Sequence, residues 1–132
     1  MLDTSVCVRA LRDRSGQLAE HFKSRAGSLS ISTVVLTELL FGAALSARPD
    51  HHADQVQELA RRLTVLAFDD GAAEHAADIR ARLQCAGTPI GVYDTLIAGH
   101  ARSQSLVLMT GNLSEFRRVP GLRCEDWPES SI

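Results

Sequence analysis

The sequence predicts a three-layer α/β domain with a mainly parallel central sheet and helices on both faces, and three observations carry that reading. Short apolar or alternating runs are separated along the whole chain by stretches of helical length, the order that produces parallel strands joined by crossover helices. One run, Leu106–Met109, is apolar throughout, as strands covered on both faces are. The 132 residues suffice for one such core and not for two, so 1–132 is read as a single domain.

Met1–Leu2 reads as a truncated strand and Asp3-Thr4-Ser5 as a turn, after which Val6, Val8, Ala10 and Leu11 lead into the charge-rich stretch Arg12–Glu20, read as a helix. Ser28–Ser32 alternates polar and apolar residues as a short strand should, and Ser32 or Thr33 can cap a helix running to about Ser46. Arg48-Pro49-Asp50 breaks that helix. From Asp50 to Leu63 the apolar Val56, Leu59, Ala60 and Leu63 recur at helical spacing, which leaves His51, His52, Asp54, Gln55 and Glu58 on the wet side of a surface helix. Thr64–Phe68 is a β-type run ended by Asp69-Asp70-Gly71, and Ala72–Ala86 is an alanine-rich helix stopped by Gly87. Gly87–Gly91 is a loop, Tyr93–Ser103 a helix, Leu106–Met109 the apolar strand and Leu122–Trp127 a candidate last strand. Open sheets of this kind place their sites outside the carboxyl ends of the strands, where strand order reverses. Asp3, Asp94 and Thr110-Gly111-Asn112 all fall there.

Composition narrows the class of function. The 45% hydrophobic and 23% charged fractions are ordinary for a globular chain, and no repeat or low-complexity tract is present. No apolar stretch approaches the roughly 20 residues of a membrane helix, and no signal-like region precedes Asp3, so a cytoplasmic protein without a membrane partner is expected. Cys7, Cys85 and Cys124 form no zinc spacing and read as reduced, packed thiols. A net charge of -2 and a pI near 6.2 lack the bulk basic signature of nucleic-acid binders. Of 14 cationic residues only Lys23 is lysine; arginine's fork suits phosphate, but a GC-rich genome gives the same bias.

Three carboxylates stand out. Glu38 has Val34 and Val35 four and three positions before it and Phe41 three after, so it shares a helix face with apolar residues. A charge there needs compensation, for which a bound cation is one solution and a position at the rim, reaching water, is another. Asp94 is followed by Ile97 and Ala98 and faces inward at the start of its helix, either as a ligand or as a carboxylate favoured by the helix dipole. Asp3 reads as a ligand or as a turn residue bonding the amides that follow it. Gathered at one sheet edge, the three would repel one another unless a divalent ion neutralised them. Oxygen-only ligands select Mg²⁺ or Mn²⁺ over zinc. His21, His51, His52, His75 and His100 read as surface or packed residues, His100 lying on a different face of the Asp94 helix.

These residues sit in four blocks: Met-Leu-Asp-Thr at 1–4; Thr37-Glu38-Leu39-Leu40-Phe41-Gly42; Gly87-Thr88-Pro89-Ile90-Gly91 with Asp94 through Ala101; and Thr110-Gly111-Asn112 with Glu115-Phe116. Their order, with separations of 35, 56 and 18 residues between Asp3, Glu38, Asp94 and Asn112, resembles the PIN-domain ribonucleases and, within them, the VapC-type toxins of type II toxin–antitoxin systems. The resemblance implies that Asp3, Glu38 and Asp94 are acidic metal ligands, that Asn112 stands in the place of a fourth acidic residue, and that Thr4 and Thr110 are pocket hydroxyls orienting water. Glu115 is the candidate for the missing charge. Relatives in this family carry a few residues before Met-Leu-Asp-Thr, so the first strand is expected to be short. The resemblance also implies a homodimer and a VapB-type antitoxin that blocks the site.

The activity expected is Mg²⁺- or Mn²⁺-dependent hydrolysis of an RNA phosphodiester, with initiator tRNA at its anticodon loop as the implied target. Rim arginines, Arg9, Arg12, Arg117 or Arg118, are candidates for gripping flanking phosphates. The chain has no nucleophile elbow, no protease-like Cys/His pair and no P-loop. A receiver domain would need a lysine near the acids, and Lys23 lies in a polar stretch. The other reading is a non-catalytic module descended from a nuclease and acting through a partner, to which the amide at Asn112 points.

Overall fold

The computed structural model describes residues 1–25 and 27–127; the expected 1–132 domain therefore ends in residues outside those described. Among the described residues the sheet is assembled around the N-terminal segment. β1 (Ser30–Ser32) pairs in parallel with β2 (Thr64–Leu66), and β3 (Leu108–Thr110) in parallel with β4 (Cys124–Asp126). Met1–Asp3 joins the two pairs: Leu2 N–H donates to Ser30 O (2.8 Å) on one side, and Asp3 N–H to Met109 O (3.1 Å) and Met109 N–H to Met1 O (2.8 Å) on the other. The spatial order is thus β2, β1, the N-terminal segment, β3, β4, and the α/β class with a parallel sheet is the one observed.

Local chemistry explains where the elements start and stop. α1 (Thr4–Arg12) begins directly from Asp3, whose carboxylate accepts from Val6 N–H at 3.0 Å, so a cap stands where the sequence suggested a turn. The charged stretch after Arg12 does not continue it, because Asp13 accepts from Ser15 N–H (3.1 Å), Ser15 O–H (2.6 Å) and Leu18 N–H (3.0 Å) and folds the chain into a loop before α2 (Gln17–Ser24). Ser32 caps α3 (Thr33–Ala44) by accepting from Val34 N–H at 3.0 Å. The expected break falls just before Pro49, between α3 and α4 (Pro49–Arg61), and Pro49 itself occupies the first turn of α4, where its missing N–H is harmless. β2 stops at Leu66 rather than Phe68, since Phe68 N–H bonds Thr33 Oγ1 (3.1 Å) instead of a strand.

α5 (Asp70–Cys85) is capped by Asp69, and α6 (Val92–Ser103) follows the Gly87–Gly91 loop. β3 starts two residues later than the apolar run suggested, because Leu106 N–H is taken by Ala101 O (2.9 Å) in closing α6. α7 (Leu113–Phe116) and β4 complete the described chain.

α5 packs along α6, α3 against α4, and α1 against both α3 and α4. Gly99 makes the first pairing possible, for a Cβ there would lie 2.5 Å from the Ala76 backbone nitrogen. The core includes Leu2, Val6, Ile31, Val35, Ile97, Leu108 and Phe116, all buried, each worth about 1.5–3 kcal/mol of transfer free energy. Buried Trp127, just beyond β4, meets Phe22 of α2 edge-to-face at 5.6 Å and so ties the end of the described chain to α2. No described helix is long and apolar enough to cross a membrane.

Candidate active site

Asp3 ends the central segment and is almost fully buried. Its Oδ1 accepts from Ser5 O–H (2.7 Å) and Val6 N–H (3.0 Å), and its Oδ2 accepts from the buried hydroxyl of Thr110 at the end of β3. Three donors hold one carboxylate, so its orientation is fixed before any ligand arrives. Thr110 Oγ1 in turn accepts from Asn112 N–H at 2.9 Å, and Ser5 Oγ from Gly111 N–H at 3.3 Å, which stitches the turn after β3 onto the start of α1.

Glu38 enters from α3, where its Oε1 accepts from Thr4 O–H at 2.6 Å. Val35, Leu39 and Ala43 form the buried face of α3, and Glu38 lies at its edge, half-buried. Phe41, which the spacing grouped with Glu38 on an apolar face, is 64% exposed; one turn on, the helix surface has already rotated out of the core. Glu38 lines a groove of about 290 Å³ together with Val8, Leu11, Arg12, Leu39 and Val56.

Asp94 stands in the first turn of α6, while Gly91 holds the N-cap position, so Asp94 is not the cap. Ile97 and Ala98 behind it are fully buried, as its spacing implied. Its carboxyl is pushed up to about 6, first by burial, then by the charges of Glu115, Asp3 and Glu38, and by a hydrogen bond with Glu115. The Asp94 carboxyl therefore reports that these acidic groups, distant in sequence, share one neighbourhood, although among the described residues no three Asp, Glu, His or Cys side chains form a closed metal cage.

Asn112 is the N-cap of α7 without a side-chain cap bond, and its backbone N–H donates to Thr110 Oγ1. Glu115, in the first turn of α7, is the strongest charged neighbour of Asp94. Of the arginines, Arg9 reaches Gly111, whose imagined Cβ would lie 2.5 Å from its Nη2, and Arg12 borders the Glu38 groove. Arg118 bonds Pro89 O at 3.3 Å.

His52, expected on the wet side, is half-buried and bonded to Ser46 Oγ at 2.7 Å. Cys7 is buried, but Cys85 is exposed and so is not the packed thiol its composition suggested. Ser5 escaped the sequence reading although it lies two residues after Asp3, the spacing of a side-chain turn.

The chain matches known proteins over most of its length. Residues 1–122 match the model of the PIN domain. The chain is 43% identical over 127 residues to the tRNA(fMet)-specific endonuclease VapC of Salmonella typhimurium (strain LT2) and 36% identical over 127 residues to ribonuclease VapC2 of Haemophilus influenzae, with 96% of each chain covered in both cases. A crystal structure of DNA-bound VapBC from Salmonella typhimurium superposes with a TM-score of 0.92 at 43% identity, covering 96% of both chains. The chain belongs to the PIN domain family.

Proposed function

We propose that this protein is a metal-dependent endoribonuclease, the toxin of a toxin–antitoxin pair, with Asp3, Glu38, Asp94 and Glu115 as the acidic set and Asn112 beside it. The observation that carries this is the Asp94 carboxyl, raised to about 6 by burial and by the joint presence of Glu115, Asp3 and Glu38. Acidic groups are gathered against their own repulsion at functional sites more often than elsewhere. A donor set made of oxygen alone fits a hard divalent ion, Mg²⁺ or Mn²⁺. Asp3, Glu38 and Asp94 would hold such an ion, which would lower the pKa of water at the site and supply positive charge toward the phosphate.

The chain's own residues do the rest. Thr110, Ser5 and the Val6 amide keep Asp3 aimed, and Thr4 keeps Glu38 aimed. Burial and the charges of Glu115, Asp3 and Glu38 raise the Asp94 carboxyl to about 6, so it holds part of its proton at slightly acid pH, and a bound cation would favour its release. Arg9, whose Nη2 approaches Gly111, and Arg12, which lines the Glu38 groove, are the candidates for holding phosphates that flank the cut.

The names of the relatives, tRNA(fMet)-specific endonuclease and ribonuclease, support RNA hydrolysis and initiator tRNA as the substrate. The solved VapBC assemblies support a VapB-type antitoxin as partner. Exposed Phe41, Leu45, Val92 and Tyr93 are apolar surface available to that partner or to a second copy in a homodimer. A toxin acting on tRNA works in the cytoplasm.

The test is incubation of the purified protein with total tRNA and Mg²⁺ or Mn²⁺, beside Asp3→Asn. Cleavage of initiator tRNA by the parent alone is expected. Cleavage confined to another RNA removes the substrate, and no metal-dependent cleavage by the parent removes the enzyme in favour of the binding module.

A further inference from the structure

His100 lies outside the acidic site, yet it is fully buried in α6. Its Nδ1 is 2.8 Å from Ser32 Oγ, a contact spanning 68 residues of chain. Phe68 meets the ring edge-to-face at 5.6 Å, and Gln104 Nε2 lies 3.4 Å from its Nε2. Burial lowers the pKa of the imidazole, with Asp69 opposing, which favours the neutral ring. Ser32 joins two features at one atom, because the same Oγ accepts from Val34 N–H and so defines where α3 begins.

The symmetry of the arrangement matters for the acids. Glu38 lies six residues after Ser32 on α3, and Asp94 six residues before His100 on α6, each about 9 Å along its helix from the contact. On its other flank α6 is jammed against α5 at Gly99 and Ala76. Among the described residues no other side-chain hydrogen bond joins the α3 cap and α3 to α6. We propose that the His100–Ser32 hydrogen bond is a positioning pin that sets the helix carrying Glu38 against the helix carrying Asp94, so that His100 serves the site without touching substrate or metal. The role in catalysis rests on the nuclease reading; the pin itself does not.

Three full-length variants separate the possibilities. Asparagine carries a polar atom where Nδ1 sits, glutamine where Nε2 sits, and leucine neither, so His100→Asn keeps the contact that His100→Gln and His100→Leu lose. In the metal-free protein, the backbone amide resonances of Glu38 and Asp94 are expected to stay in place in His100→Asn and to move in His100→Leu. With RNA, His100→Leu is expected to lose at least tenfold in kcat with little change in KM and to bind Mn²⁺ about tenfold more weakly by calorimetry, while His100→Asn recovers both to within about threefold. If His100→Leu does not fold, the contrast between His100→Asn and His100→Gln decides on the same readouts. Unmoved amides, or equal values for the asparagine variant and its comparator, overturn the pin. Should the amides move as expected while the parent neither binds Mn²⁺ nor cuts RNA, the nuclease reading is what fails.

Discussion

Replacing Asp94 with asparagine should make the metal-free protein more stable at neutral pH while abolishing cleavage. The Asp94 carboxyl titrates near 6 in the fold against an ordinary 3.8, a difference whose ceiling is about 3 kcal/mol. Because the group is only half-buried, solvent screening brings this to about 1 kcal/mol, and losing a negative charge from the first turn of α6 takes back a few tenths of that. The sign follows from the direction of the shift. A carboxyl raised in the folded state favours folding when neutral, so its contribution is intact below the unfolded value near 3.8, declines through about 6 and is absent above. The asparagine variant has no such decline. Urea denaturation of both proteins in EDTA from pH 4 to 8 should show near-equal stabilities at pH 4 and a gap in favour of the variant opening by pH 7, worth roughly 3 °C in a thermal melt. Adding Mn²⁺ should then stabilise the parent by about 2.7 kcal/mol at a hundredfold excess over Kd, enough to carry it past the variant. A variant less stable than its parent at pH 8 in EDTA, or a gap that does not change with pH, refutes the reasoning.

Other perturbations probe the supports of the site. Glu115→Gln removes the strongest charged neighbour of Asp94 and should cost at least tenfold in metal-dependent cleavage, whereas Asn112→Ala, measured in the same RNA assay, should cost less. Thr110→Val takes a buried donor from Asp3 and should destabilise the fold by about 1–3 kcal/mol in urea denaturation. Gly99→Ala drives a methyl into the Ala76 backbone and should cost about 1–3 kcal/mol through overpacking, seen as a lower Tm with the acids intact.

Periodicity and caps were readable where a helix had one wet face or one capping hydroxyl. The span from Thr33, the Gly87 stop and the parallel order of strands all follow from side chains adjacent in the chain. What escaped depends on bonds between distant residues. Phe68 leaves its strand because Thr33 Oγ1 takes its amide, and Leu106 because Ala101 does. The same division holds at the site. Glu38 and Asp94 were legible as carboxylates in apolar company and Asp3 as one at a strand end, and the burial of Ile97 and Ala98 agrees with the pattern at Asp94. The weight of Glu115 against Asp94, the rotation of Phe41 into solvent and the use of Ser32 by His100 were not, since each depends on how one helix lies on another.

The middle of the sheet is made first and finished last. Met1–Asp3 leaves the ribosome before any of its neighbours, yet Asp3 needs the Thr110 hydroxyl, 107 residues downstream, and pairing across such separations is slow and late. A nascent chain halted anywhere before β3 carries Asp3 with neither that donor nor Met109 beside it. On the proposed reading, cutting activity waits until the chain through β3 has emerged, which leaves the interval of its synthesis for a partner to be in place.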